Sequence, residues 1–174
     1  MGWRIHPLPV QAKKCVMVMA PHTSNWDFYI GLIGFWSLGV QAKLLIKKEA
    51  FKPPLGFFLK KLGGVPVDRQ KKTNLTTRMS KLYADTDELI ILFTPEGTRK
   101  YNENWKKGFY YMAKEANVPI VLGFLDFKNK VGGFLPEFHP TWNEEKDFAE
   151  IKRMYREANV LAKHPEMSDI SSSS

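Results

Sequence analysis

Apolar and polar residues alternate along the chain in blocks whose lengths match short buried strands and longer amphipathic helices. Short apolar runs that stop at proline, glycine or charged residues predict strands, and longer segments with apolar residues at helical spacing predict helices. The pattern predicts strands at 15–20, 42–46, 65–67, 88–93 and 119–124, a hairpin around Gly132-Gly133 within 130–139, and helices at 25–38, 54–62, 72–84, 104–116 and 144–163.

This repeated alternation indicates an α/β fold with a largely parallel, mixed β-sheet flanked by helices. The 174 residues correspond to one domain, which we expect to span residues 1–167 and to be followed by a disordered serine-rich tail at 168–174. In such folds ligands bind just beyond the carboxyl ends of the strands. Two predicted loops at those positions, 21–27 and 94–99, carry reactive side chains.

Composition narrows the class of protein. The chain is 44% hydrophobic and 25% charged, as in ordinary globular domains. Its single cysteine, Cys15, excludes an internal disulfide framework and a multi-cysteine metal site, and its apolar neighbours predict a buried side chain. We see no signal peptide and no apolar stretch of the roughly 18–20 residues that cross a membrane. A cytoplasmic protein that does not span the bilayer is therefore expected.

Positive charge is concentrated in one part of the chain. The net charge is +8, and residues 42–81 contain eleven lysines and arginines against two acids. A segment of this kind favours an anionic partner such as nucleic acid, anionic lipid or a phosphorylated substrate. A solvated lysine-rich face is the other interpretation.

His22 and Asp27 lie five residues apart, at the junction of the first predicted strand and helix. On one continuous helix they would face different directions, so a contact requires His22 in the turn and Asp27 in the first helical turn. Ser24 or Asn25 can cap the helix, and Asp27 is at the third helical position if Ser24 does so. The carboxylate would then orient the imidazole and stabilise it as a proton acceptor. A simple capping acid beside a polar loop residue is the alternative.

The loop after the strand at 88–93 contains Glu96, Gly97, Thr98 and Arg99. Gly97 permits a positive φ and close approach of a ligand to the backbone, and Thr98 adds a hydroxyl donor. Arg99 offers a planar set of donors suited to phosphate oxygens. Glu96 is itself anionic, so it would orient Arg99 or accept a bond from a substrate hydroxyl. An ordinary turn with a surface Glu–Arg pair remains possible.

Four short blocks occur in an order that resembles a known family. They are His-Thr-Ser-Asn-Trp-Asp at 22–27, an H-x-x-x-x-D motif; Gly-Val-Pro-Val-Asp-Arg at 64–69; Pro-Glu-Gly-Thr-Arg at 95–99; and Val-Pro-Ile-Val at 118–121. In this order and spacing the chain resembles the 1-acylglycerol-3-phosphate acyltransferases, within the wider glycerolipid acyltransferases. The first motif alone would mean little, but four blocks in sequence are specific.

The resemblance implies a mechanism. His22 would deprotonate the hydroxyl of a lysophospholipid acceptor such as lysophosphatidic acid, and Asp27 would orient His22. The acyl group would come from the thioester of acyl-CoA or acyl carrier protein, with no acyl-enzyme, metal or bound cofactor. The residues that would bind the acceptor's phosphate end are Arg69, Glu96, Gly97, Thr98, Arg99 and Lys107.

Many members of that family have an N-terminal transmembrane helix that this sequence does not show, so another route to lipid is expected. Residues 51–62 mix aromatic residues and leucines with lysines, as in a helix that lies on anionic lipid. A core helix with solvated lysines is the other interpretation. We predict peripheral attachment to the cytoplasmic face of a membrane through Phe51, Phe57, Phe58, Lys60 and Lys61.

Two other functions stay open at this stage. An acyltransferase with a phosphate-free acceptor, such as an aminoacyl lipid, a glycolipid or a polyol, would turn over acceptors that lack phosphate. A non-catalytic basic domain that binds lipid or nucleic acid would show no acyl transfer. The sequence lacks an aromatic stacking motif for nucleic acid, so no such partner is expected, and the presence of both His22 and Asp27 favours catalysis.

Overall fold

Strands and helices alternate along the chain in a computed structural model that describes residues 2–9, 13–67 and 72–171. Within these ranges the strands are β1 (Arg4–Ile5), β2 (Lys14–Met19), β3 (Ala42–Lys47), β4 (Gly64–Val67), β5 (Leu89–Phe93), β6 (Ile120–Asp126) and β7 (Val131–Phe134). The helices are α1 (Asn25–Ser37), α2 (Leu55–Lys61), α3 (Lys72–Ala84), α4 (Gly108–Ala116) and α5 (Glu144–Glu157), with short 3₁₀ helices at Lys48–Phe51 and Pro165–Met167.

The described strands form one sheet in the order β1-β7-β6-β2-β5-β3-β4. Every neighbouring pair is parallel except β6 and β7, which are antiparallel. The predicted α/β class with a largely parallel, mixed sheet is therefore confirmed. β2 lies between β5 and β6, so the loop that follows β2 and the loop that follows β5 emerge side by side at the same edge.

The central strands are buried on both faces, as expected for a parallel sheet covered by helices. Along β2, Val16 and Val18 point to one side, where they pack with residues of α3, α4 and α5. Cys15 and Met17 point to the other side, where they pack with Phe35 of α1. The predicted burial of Cys15 is confirmed, since it is 0% exposed, and burial raises the pKa of its thiol to about 12.

Two predicted helices are shorter than expected. The helix predicted from residue 104 begins at Gly108, because Asn102 and Asn104 form a local turn and the amide of Lys106 donates to Pro95 O at 2.6 Å. The helix predicted to end at residue 163 ends at Glu157. Asn159 then adopts a positive φ of 51°, which turns the chain back.

The hairpin predicted within 130–139, around Gly132-Gly133, differs from the observed one in the position of its turn. The turn lies at residues 127–130, between β6 and β7, and the two adjacent glycines lie inside β7. A Cβ at Gly132 would approach Ile5 Cδ1 to 2.8 Å, and one at Gly133 would approach Phe124 Cζ to 2.9 Å. Close packing, rather than a turn, accounts for these glycines.

The chain packs beyond the domain boundary predicted at residue 167. Ser168 and Ile170 are buried, and Ile170 belongs to the main core cluster. In the described structure the residues that follow 167 therefore pack with the domain, whereas a disordered tail was predicted from 168; residues 172–174 lie outside the described residues. In the described ranges, no helix combines the length and the apolar character needed to cross a membrane.

The side chain of Tyr155 connects α5 to two central strands, β2 and β6. Its hydroxyl is buried and lies 3.0 Å from both Val18 O and Gly123 O. We expect Tyr155→Phe to lower the free energy of unfolding by about 1–3 kcal/mol, because a buried hydrogen bond is lost. Urea unfolding checks this, with Tyr101→Phe, which changes a 59% exposed ring, as the control. Equal stability of both variants would contradict the assignment.

Candidate active site

His22 and Asp27 are in direct contact at the carboxyl end of β2. Their side chains meet at 3.0 Å, between His22 Nδ1 and Asp27 Oδ2. The break that this contact requires is present, because Ser24 caps α1 and Asp27 is at its third position in a capping box. A carboxylate only accepts, so Nδ1 carries the proton and Nε2 is left as the basic nitrogen.

Two backbone amides, in addition to His22, hold the Asp27 carboxylate in place. The same oxygen, Oδ2, accepts from the amides of Thr23 and Ser24 at 2.9 Å each. The Asp27 side chain is 9% exposed and that of His22 is 22% exposed. The carboxylate is thus largely removed from water and held by three donors, while the imidazole keeps access to solvent.

The side chain of Glu96 contacts the backbone of the His22 turn, and the residue is 2% exposed. Its Oε1 accepts from the His22 amide at 2.9 Å, and Oε2 is buried without a hydrogen-bond partner among the described residues. Burial raises the pKa of this carboxyl to about 8, although the bond from the His22 amide lowers it. No ion pair joins Glu96 to Arg99 in the described part of the chain, so in this structure Glu96 supports the backbone of the histidine.

Arg99 lies beside the start of α1. Its Nη1 donates to the side-chain oxygen of Asn25, the first residue of that helix. Gly97 adopts the predicted positive φ, at 67°, and a Cβ there would approach Lys106 Cγ to 3.1 Å. The Glu96–Arg99 loop therefore contacts the His22 turn at two points, one buried and one exposed.

A groove of about 1410 Å³ runs past these residues. His22, Asp27, Gly97, Arg99 and Lys107 all line it. Apolar side chains from α1, β3, β5 and α4 form much of its wall, including Phe28, Leu32, Phe35, Leu44, Leu92 and Met112. The groove can hold an apolar chain next to the basic nitrogen of a histidine.

Two of the predicted phosphate-binding residues, Lys107 and Thr98, have surroundings that differ from the prediction. Lys107 lines the groove, but its ammonium pairs with Glu144, which raises the pKa of Lys107. Thr98 lines a smaller, open depression, together with Arg99 and Lys100. Arg69 lies outside the described residues. A phosphate at Lys107 would have to compete with the Glu144 carboxylate.

The predicted membrane-contact residues occupy the region around α2. Phe57 is 72% exposed and Phe51 is half-buried. Lys60 and Lys61 are exposed and line the same groove as His22. The side chain of Phe58 lies outside the described part of the structure.

Sequence reasoning missed the residues that support the site from a distance. Lys152 of α5 contacts Asp169 Oδ2 at 2.6 Å, and Trp105 Nε1 donates to Asp169 Oδ1 at 3.1 Å. These two contacts hold Asp169, in the segment that follows α5, against the loop that follows Arg99. No local sequence pattern indicates the contacts of Asp169 with Lys152 and Trp105, which are distant in sequence. Asn25, by contrast, lies inside the H-x-x-x-x-D motif, so its contact with Arg99 could have been considered. Among the described residues, no group of three or more metal-ligating side chains could hold a metal ion.

Comparison with known proteins gives two matches. The model of the family described as Acyltransferase matches residues 5–121, which include His22, Asp27, Glu96 and Arg99. Human 1-acyl-sn-glycerol-3-phosphate acyltransferase beta is 32% identical over 119 residues, which cover 64% of this chain and 41% of that protein. The chain thus spans less than half the length of this relative. No solved structure gives a significant match.

The buried Glu96 carboxyl makes stability depend on pH. Its pKa rises from the ordinary 4.5 to about 8, so the folded protein keeps a proton that the unfolded chain has lost in that interval. This contribution to stability is complete below pH 4.5 and is lost as pH rises through 8. Glu96→Gln keeps an acceptor for the His22 amide and stays neutral.

We therefore expect the stability of Glu96→Gln relative to the wild type to increase by about 1.4 kcal/mol per pH unit between about pH 5.5 and pH 7. Urea unfolding of both proteins across this range measures it. Glu137→Gln, which changes a side chain that is 54% exposed, is the control. A difference that stays constant with pH would show that Glu96 titrates normally.

Proposed function

Because the chain belongs to the acyltransferase family, we propose that it transfers a fatty acyl group from a thioester to the hydroxyl of lysophosphatidic acid or a similar lysophospholipid. The donor would be acyl-CoA or acyl carrier protein. The observation that carries the proposal is the 3.0 Å contact between His22 Nδ1 and Asp27 Oδ2 beside a groove with apolar walls. The human relative's name supports the same acceptor class.

In the proposed reaction, His22 Nε2 takes the proton from the acceptor hydroxyl as its oxygen attacks the thioester carbonyl. The carbon–sulfur bond breaks, and the departing thiolate recovers the proton from the imidazolium. Asp27 stabilises the imidazolium because its carboxylate faces the proton on Nδ1. No acyl-enzyme, metal or bound cofactor is required, and alignment of the two substrates along the groove contributes much of the rate.

The phosphate end of the acceptor would bind near the start of α1. Arg99 supports this, because it lines the groove and its guanidinium reaches Asn25 at the first turn of that helix. Helix N-termini and guanidinium groups both favour phosphate oxygens. Arg69, Gly97, Thr98 and Lys107 complete the proposed binding set, whereas Glu96 supports it through the His22 backbone.

The proposal includes peripheral attachment to the cytoplasmic face of an anionic membrane. The basic segment 42–81 and the exposed Phe57, Lys60 and Lys61 support it. Attachment of this kind would bring the groove to its lipid acceptor without a spanning helix.

His22→Ala should reduce turnover by on the order of 10²–10⁴-fold, because the general base is removed. Free-thiol release from long-chain acyl-CoA, with and without lysophosphatidic acid in mixed micelles, measures the rate. His139→Ala, which removes a histidine whose side chain is 80% exposed, serves as the control and should retain full turnover. An undiminished rate in His22→Ala would remove the histidine from the mechanism.

Arg99→Ala should raise the KM for lysophosphatidic acid and leave the KM for the acyl donor unchanged, because a charged contact to phosphate is lost. Lys100→Ala removes a neighbouring cation that does not line the groove, and it should leave both values unchanged. A normal acceptor KM in Arg99→Ala, or equal turnover of a phosphate-free acceptor, would favour the non-phosphate class.

A further inference from the structure

One face of α1 is apolar and exposed to solvent. Trp26, Tyr29, Ile33 and Trp36 form this face, here called the α1 stripe, and they are 51%, 55%, 46% and 57% exposed. Their spacing of three, four and three residues places them along one side of the helix. Large exposed apolar patches are uncommon on monomeric proteins and indicate a contact surface.

The composition of the α1 stripe matches the interfacial layer of a bilayer. Two of its four residues are tryptophan and one is tyrosine, the side chains that concentrate where lipid meets water. α1 contains no lysine or arginine, and its one acid, Asp27, is engaged with His22. The stripe can therefore enter the headgroup region without burying a charge.

Positive charge lies next to this face. Among the described residues that line the groove are six cations, of which Lys107 is paired with Glu144, and one acid, Asp27. The cations are Lys43, Lys60, Lys61, Arg99, Lys106 and Lys107. This distribution is complementary to anionic headgroups, each cation near the surface adding to the attraction.

The stripe is continuous with the groove. Trp36 belongs to both, since it is 57% exposed and also lines the groove beside Leu32 and Phe35. At the other end of the stripe, Trp26 is next to the His22 turn, and Lys163 Nζ lies 5.1 Å from the centre of the Trp26 ring. The stripe therefore meets the groove at Trp36.

We propose that the α1 stripe is inserted into the interfacial layer of an anionic membrane and directs the groove towards the lipid. The α1 stripe is a second contact beside the one predicted at α2, with which it shares the groove-lining Lys60 and Lys61. The inference rests on the proposed function for membrane attachment and for the lipid acceptor. Binding to the membrane does not require turnover, so the two can be tested independently.

The test is co-sedimentation of the full chain with vesicles of phosphatidylcholine and phosphatidylglycerol. Ile33→Glu should lower the partition coefficient by about tenfold or more, because an apolar side chain is replaced by a charge that repels the surface. Ala149→Glu adds the same charge at an exposed position of α5 and should bind as the wild type does. Ile33→Gln, which adds no charge, should also bind more weakly, and thermal unfolding confirms that each variant is folded.

Equal losses in Ile33→Glu and Ala149→Glu would overturn the inference, as would unchanged binding of Ile33→Gln. Light scattering tests whether the α1 stripe instead binds a second copy of the chain. A wild-type dimer that becomes a monomer in Ile33→Gln would show that the stripe is a protein interface and would overturn the inference. Turnover of dispersed short-chain lysophosphatidic acid by the wild type reports on the proposed function separately. Absent turnover with stripe-dependent vesicle binding would remove the proposed function and keep this inference.

Discussion

The geometry of the candidate site depends on one carboxylate oxygen that has three donors. Asp27 Oδ2 accepts from the amides of Thr23 and Ser24 and from the His22 ring. The two hydrogen bonds from backbone amides close the first turn of α1, and the third hydrogen bond fixes the imidazole ring. Helix capping and orientation of the proposed base, His22, are therefore the same interaction. Loss of this carboxylate leaves unpaired amides at the helix start as well as a free ring, so its effects on stability and on activity are coupled.

The two loops of the site meet because of strand order. β2 pairs directly with β5, so their carboxyl ends present the His22 turn and the Glu96 loop next to each other. The Glu96 carboxyl then joins them through the His22 amide, although the two residues are 74 positions apart in sequence. Burial and the neighbouring Asp27 carboxylate make ionisation of Glu96 unfavourable, whereas the hydrogen bond from the His22 amide favours the ionised form.

The parts of the fold that follow local rules could be predicted from sequence. Apolar periodicity identified the central strands, and the Ser24 and Asp27 spacing was sufficient to predict the turn at His22. Features set by distant partners could not be predicted. Gly132 lies inside β7, where a Cβ would approach Ile5 Cδ1 to 2.8 Å. The described residues that follow position 167 pack against the domain, where Asp169 pairs with Lys152. The pairing of Lys107 with Glu144 was missed for the same reason.

The position of β1 has a consequence for biosynthesis. Arg4 pairs with Val131, so the first described strand pairs with the last one, β7, and lies at the edge of the sheet. During translation, the N-terminal segment has to wait until most of the domain has left the ribosome. The central strands can associate meanwhile, and this edge of the sheet is completed by a late pairing between strands that are far apart in sequence.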